Sequence, residues 1–229
     1  MCFSLEASVA GGIVLSTIGV TAIKKVQVPS QYAFASIPLV FGIQQFSEGA
    51  VWLSLQNPAF AGLEPYGTNT FLFVARVLWP VLMPLSVLLM ENEEKKRKTL
   101  RIMLGMGSVV ALYYSYCLLF LNVEPNIAGH HIRYISDYPD AIADPIFFLY
   151  VMAAIPPLFV SSNTRTRLLG VLFLAAVIVT GVFYVQYLTS VWCFFAAIVS
   201  MVILWILKDQ DFVVVTNKQE KITIPENAN

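Results

Sequence analysis

The sequence predicts an all-α polytopic membrane protein, a bundle of seven transmembrane helices with the N-terminus outside and the C-terminus in the cytoplasm. Three observations carry this expectation. Hydrophobic residues make up 58% of the 229 residues and charged residues only 12%, whereas a soluble domain carries about 25% charged residues. Seven apolar runs approach the roughly 20 residues needed to cross a hydrocarbon core of ~30 Å. Basic residues gather in alternate connections, as the positive-inside rule requires.

The seven runs cover residues 7–23, 32–56, 71–90, 102–121, 141–160, 168–185 and 191–207. In lipid a segment must satisfy its own backbone hydrogen bonds, and none of the runs alternates polar with apolar residues, so they read as helices rather than strands. The first run lacks the basic leader of a signal peptide and is expected to stay as a helix. Lys24 and Lys25 follow run 1, Lys95 to Lys98 and Arg101 follow run 3, Arg165 and Arg167 follow run 5, and Lys208, Lys218 and Lys221 follow run 7. The opposite side holds only Arg133, and Arg76 lies inside run 3. Residues 1–208 therefore form one bundle and 209–229 a short, polar cytoplasmic tail. Pro80, Pro84, Pro156 and Pro157 are expected to kink their helices.

Net charge is zero, which gives no footing for a nucleic-acid partner. Three cysteines and two histidines exclude a dense disulfide framework and any zinc-finger spacing. The expected partner is membrane lipid, with a small or lipid-derived ligand.

Ionisable side chains inside a membrane are costly and usually face the bundle interior. Glu48, Arg76 and Asp144 are such groups. With a rise of about 1.5 Å per residue they lie ~12, ~8 and ~5 Å below the outer boundary. Similar depth on consecutive antiparallel helices makes a Glu48–Arg76 ion pair the expectation. Gln44 and Glu48, four apart, share a helix face, with Trp52 on the adjoining stripe, so Gln44, Glu48, Trp52, Arg76 and Asp144 are the candidate ligand-binding residues.

Other reactive groups share the outer side. His130 and His131, with Cys193, could ligate zinc or a similar divalent metal, the alternative being solvated histidines and a packed cysteine. Cys2, exposed as an N-terminal residue by methionine removal, would combine a nucleophile with an amine base. Cys117 reads as apolar filler. Tyr113, Tyr114 and Tyr116 read as packing and interhelical hydrogen bonds, and Gly105 and Gly107 as points of close helix approach.

Met1-Cys2-Phe3-Ser4, Gln44-Gln45 with Glu48-Gly49 and Trp52, Trp79-Pro80 with Pro84, His131-Ile132 with Tyr134, and Ser190 with Trp192-Cys193-Phe194-Phe195 occur together here. The set resembles an uncharacterised family of bacterial membrane proteins that open with Met-Cys-Phe-Ser. That resemblance covers nearly the whole chain and implies a seven-helix protein of the bacterial inner (plasma) membrane with no established activity. It also implies that Cys2, Glu48, Trp79, Pro80, His131, Trp192 and Cys193 belong to a recurring pattern. Other seven-helix families fit less well. A retinal protein needs a lysine in the middle of helix 7, and none lies between Trp192 and Leu207. Alkaline-ceramidase-like hydrolases use three histidines where this chain has two.

Three functions follow from these residues. The first is a sensor, binding protein or carrier with an outward-facing polar cavity floored by Glu48 and Arg76, with Asp144, His130 and His131 at its mouth. The second is a membrane-embedded metal-dependent hydrolase using His131, Glu48 and Cys193 or Asp144. The third is a structural membrane subunit whose polar groups set packing.

Overall fold

The structure is a computed structural model. It describes residues 4–129, 131–183 and 188–207, without the side chains of Asp140, of residues 179–183 or of residues 188–195. Each predicted run is helical over its described part apart from Ser36, Leu121 and Ile155. In chain order the elements are α1 (Leu5–Lys24), α2 (Tyr32–Ala35), α3 (Ile37–Gln56), α4 (Glu64–Leu72), α5 (Trp79–Met90), α6 (Glu94–Phe120), β1 (Val123–Ala128), β2 (His131–Ser136), α7 (Ala143–Ala154), α8 (Pro156–Val160), α9 (Thr164–Phe183) and α10 (Leu188–Leu207). The expected tail, 209–229, lies outside the described residues.

Several boundaries differ from expectation for local reasons. Run 3 begins early, at Glu64, because Glu64 accepts a hydrogen bond from the Thr68 hydroxyl (3.0 Å) and Pro65 occupies the first turn, where its missing N–H costs nothing. Run 4 begins at Glu94, on a polar turn held by Glu94–Arg101 at 2.7 Å and by Glu93–Lys96 at 2.8 Å. Run 5 breaks at Ile155, immediately before Pro156 and Pro157. α9 starts after Asn163, whose side-chain oxygen accepts the N–H of Arg165 (2.8 Å) and caps the helix, as describes. The outer connection expected between runs 4 and 5 contains an antiparallel hairpin, β1–β2, turning through Gly129 at φ 65°.

Among the described residues, four helical stretches are long and apolar enough to cross a membrane: Leu5–Lys24, Pro58–Met90, Glu94–Phe120 and Ala143–Val160. α3 is as long but interrupted by Gln44, Gln45 and Glu48.

α1 and α3 make the tightest helix pair. A Cβ on Gly12 would strike the Phe46 ring, one on Gly19 the Leu39 backbone, and one on Gly42 the Ser16 hydroxyl. Small residues let the two backbones approach, the usual device for joining helices that have no hydrophobic drive between them. The main core gathers Leu15, Phe34, Phe41, Trp79, Met83, Leu100, Leu158 and Ile203 from most of the helices. A second cluster, of Leu5, Val51, Trp52, Leu55, Ile132 and Tyr134, seats the hairpin on the ends of α1 and α3.

The opposite end carries the basic connections. There Glu91, almost fully buried, ties two turns together. Its carboxylate accepts the N–H groups of Asn92 (2.8 Å) and Glu93 (3.0 Å), and both the N–H (2.7 Å) and the hydroxyl (2.8 Å) of Ser162. Arg97 donates to the Leu88 and Glu91 carbonyls left open at the end of α5. Burial by itself would raise the Glu91 pKa, but the hydrogen bonds from Glu93, Asn92 and Ser162 outweigh it and hold the carboxyl below its usual range.

A folded-state pKa below the unfolded one gives stability that is present above the unfolded pKa and lost as pH falls through the folded one. Thermal unfolding in detergent should therefore show wild type losing stability on acidification. Glu91→Gln should be less stable at neutral pH by about 1.5–3 kcal/mol and less sensitive to acid. An unchanged acid response in the variant would count against Glu91 as the latch.

The two glycines of α6 make a second test. Among described atoms, a Cβ on Gly105 meets nothing within 4 Å, whereas one on Gly107 would occupy the place of the Pro80 carbonyl oxygen. Close approach is thus confined to Gly107. Gly107→Ala should destabilise by about 1–3 kcal/mol through overpacking, and Gly105→Ala should be neutral or slightly stabilising. Equal melting temperatures for the two variants would refute this packing.

Candidate functional site

The site is organised by a local break in hydrogen bonding. Between α4 and α5, residues Phe73–Leu78 form a π-helical turn in which the Trp79 N–H bonds back five residues to the Val74 carbonyl. Pro80 explains why. In an α-helix its ring would collide with the Arg76 carbonyl and it could donate no hydrogen bond. The wider turn relieves the collision, but the Ala75 carbonyl, due to accept from residue 80 in the five-residue register, is left without a backbone donor. The Tyr150 hydroxyl of α7 supplies one, at 2.8 Å.

The same turn carries Arg76, which it presents to a cavity of about 340 Å³. The walls come from this turn and α5, from α6, from α7 with Ile155 and from α9, with Gln44 of α3, Ser136 at the end of β2, and Tyr138 and Pro139 just after it. Arg76 is half-buried. Its guanidinium carbon lies 5.4 Å from the Tyr114 ring centre and 5.0 Å from that of Tyr138, within cation–π range. No described carboxylate lies within ion-pair distance of it. The Tyr138 hydroxyl is buried; burial pushes its pKa above the usual tyrosine range, and Arg76 beside it opposes that only in part. On the α3 side, the Trp79 indole donates to the Gln44 side-chain oxygen at 2.9 Å and its ring lies 4.3 Å from that of Phe41.

Residues 1–217 match the model of a family of unknown function, DUF6629. The chain belongs to that family. Neither a curated protein nor a solved structure matches it.

The structure brings together only part of the site expected for this DUF6629 protein. Gln44 and Arg76 line the cavity. Glu48 does not. It is fully buried one turn beyond Gln44, with the Gln45 amide 3.5 Å from its carboxylate. The ion pair with Arg76 inferred from depth does not form, because equal depth fixes height along the bundle but not the face toward which each side chain turns. Trp52 is buried in the cluster beneath the hairpin. Asp144 is exposed in the first turn of α7, where a negative charge complements the helix dipole; it is not an interior group.

His131 opens β2. His130 and Cys2 lie outside the described residues, as does the side chain of Cys193. Among the described residues no three His, Cys, Asp or Glu side chains group as metal ligands would. Cys117 is a buried free thiol, as expected of filler. Tyr116 is exposed, whereas Tyr113 and Tyr114 line the cavity. Trp79, Tyr114, Tyr138 and Tyr150 carry no site role in the expectation from sequence. Spacing could not have found them, since they come from four separate segments. The available signal was Arg76 itself, a helix cation one turn before a proline.

Tyr150→Phe tests the local account. It should cost about 1–3 kcal/mol by leaving a buried carbonyl unsatisfied, measured by thermal unfolding. A variant as stable as wild type would show that the hydroxyl does not hold the turn.

Proposed function

We propose that this protein is a seven-span membrane protein whose hairpin end faces outward, and that its cavity binds the anionic head of a small or lipid-derived ligand through Arg76, as a sensor, binding protein or carrier. One observation carries the reading: a guanidinium with no carboxylate partner among the described residues stands in a 340 Å³ cavity, among aromatic rings. A cation in a low-dielectric site attracts an oxyanion far more strongly than in water, and arginine's planar fork suits a carboxylate or phosphate.

The orientation is supported by Lys24, Lys25, Lys95 to Lys98, Arg101, Arg165 and Arg167 standing at the end opposite the hairpin, the cytoplasmic end by the positive-inside rule. Membrane residence is supported by the four long apolar stretches and by Leu112, Leu119, Phe148 and Met201, all more than 60% exposed. Such a coat is foreign to a soluble monomer. A bacterial inner (plasma) membrane remains part of this proposal.

The test uses octanoate and octyl phosphate as probes on the purified full chain in non-ionic detergent. Wild type should be stabilised saturably against heat by at least one of them. Arg76→Ala should melt like wild type without probe, yet bind roughly tenfold or more weakly. Equal stabilisation of both proteins would overturn the reading.

A further inference from the structure

The shape of the cavity says more about the ligand than Arg76 does. Most of its polar groups, Arg76, Tyr113, Tyr114, Ser136 and Tyr138, lie toward the hairpin end, and two set further along are already engaged, Gln44 with the Trp79 indole and the Tyr150 hydroxyl with the Ala75 carbonyl. From that end it runs along one stripe of α7, through Ala143, Phe147, Val151, Ala154 and Ile155, with Met83 of α5 and Phe173 and Val177 of α9 opposite. These wall residues are apolar throughout. The spacing along α7, four then four then three or four, keeps a single helix face on the cavity. From Ala143 to Ile155 the stripe is about 18 Å long at helical rise. That is close to half of a ~30 Å hydrocarbon core, the depth one leaflet's acyl chain occupies. Phe147 lines the cavity and is 49% exposed, and its chain neighbour Phe148 is 63% exposed, so the apolar part of the cavity is open beside α7.

We infer that the ligand is a single-chain lipid anion, one acyl tail with a carboxylate or phosphate head, which enters from the outer leaflet beside Phe147. Its head meets Arg76 between Tyr114 and Tyr138, and its tail lies along the α7 stripe toward Ile155. This rests on Arg76 as the anion site proposed above and adds the tail and the side entrance. A small water-soluble anion would use the head region and leave the apolar 18 Å unfilled (length from). A neutral lipid would leave the cation uncompensated, a costly arrangement inside a membrane. Two-chain phospholipids would have to place a second tail outside a cavity of 340 Å³.

The deciding experiment is photolabelling of the full-length protein in phosphatidylcholine nanodiscs, using an oleate analogue with a mid-chain diazirine and mapping the adducts by mass spectrometry. Saturable labelling is expected within 143–155 and 164–177. Unlabelled oleate or oleoyl lysophosphatidate should compete, and whichever competes better identifies the head. Oleyl alcohol, which lacks the anion, and inorganic phosphate, which lacks the tail, should not compete. Arg76→Gln should lower labelling roughly tenfold. Val151→Phe and Ala154→Phe, two independent ways of filling the tail region, should each abolish it. Folding of each variant is checked by monodispersity and melting temperature.

Labelling that is unsaturable and spread over all lipid-facing helices would overturn the inference; if the octanoate response still depended on Arg76, the anion site would stand alone. Competition by oleyl alcohol equal to that by oleate would overturn the anionic head and, with it, the function assigned to Arg76.

Discussion

A helix in lipid has no water with which to satisfy a stranded carbonyl, and residues 73–84 carry two prolines that each remove a donor. The architecture around the cavity follows from how these losses are met. Pro80 forces the wider turn at Phe73–Leu78, and the Ala75 carbonyl so released is taken by Tyr150 from α7. Pro84 leaves the Pro80 carbonyl without its usual donor, and that carbonyl projects to where only a residue lacking Cβ, Gly107 of α6, can stand. Two backbone defects four residues apart thus specify which helices lie beside α5. They hold α6 and α7 on either side of Arg76, so that the wall of the cavity and the direction of its cation have one cause.

The other half of the bundle is governed by approach distance instead. α1 and α3 interlock through Gly12, Gly19 and Gly42, and the polar residues of α3 lie beside this seam. Gln45 and Glu48 are sealed there, whereas Gln44 looks the other way, to Trp79. One helix therefore serves two environments. The face toward α1 is packed too closely for a ligand, and the face toward α5 adjoins open volume.

Much of this fold is legible in the sequence, because lipid imposes a strong one-dimensional signal. Each run of about 20 apolar residues is expected to become helix, and the described part of every run is predominantly helical. The hairpin was less visible. Ile132, Tyr134 and Ser136 alternate with Arg133 and Ile135, but the stretch is six residues long and its partner strand contains Pro125, so periodicity in either strand alone is weak. The site was half legible. Arg76 and Gln44 stand out as polar groups in apolar runs, and both line the cavity. Their neighbours were hidden because helix order around a bundle and the rotation of each helix are three-dimensional facts. Depth can be counted along a chain, azimuth cannot, and neither Glu48 nor Asp144 lines the cavity. The π-helical turn adds to this, because an i→i−5 turn shifts the phase of every residue beyond it relative to an unbroken α-helix.

The separation of Glu48 from Arg76 bears on what the cavity can do. Paired, the two charges would have neutralised one another, and the cavity would have carried a dipole of little attraction for an anion. A buried ion pair adds little stability over an apolar replacement in any case, so nothing in folding energetics demands the pairing. Held apart, each charge meets the cost of its position by other means. Glu48 is enclosed with the Gln45 amide beside it. Arg76 is half-exposed to the cavity and faces two tyrosine rings, whose quadrupoles temper a cation without filling its hydrogen-bonding fork. Aromatic faces do not engage a guanidinium bidentately as a carboxylate would. On the function proposed above, an oxyanion would take that place, and the rings that stabilise Arg76 would form the walls against which its head group lies.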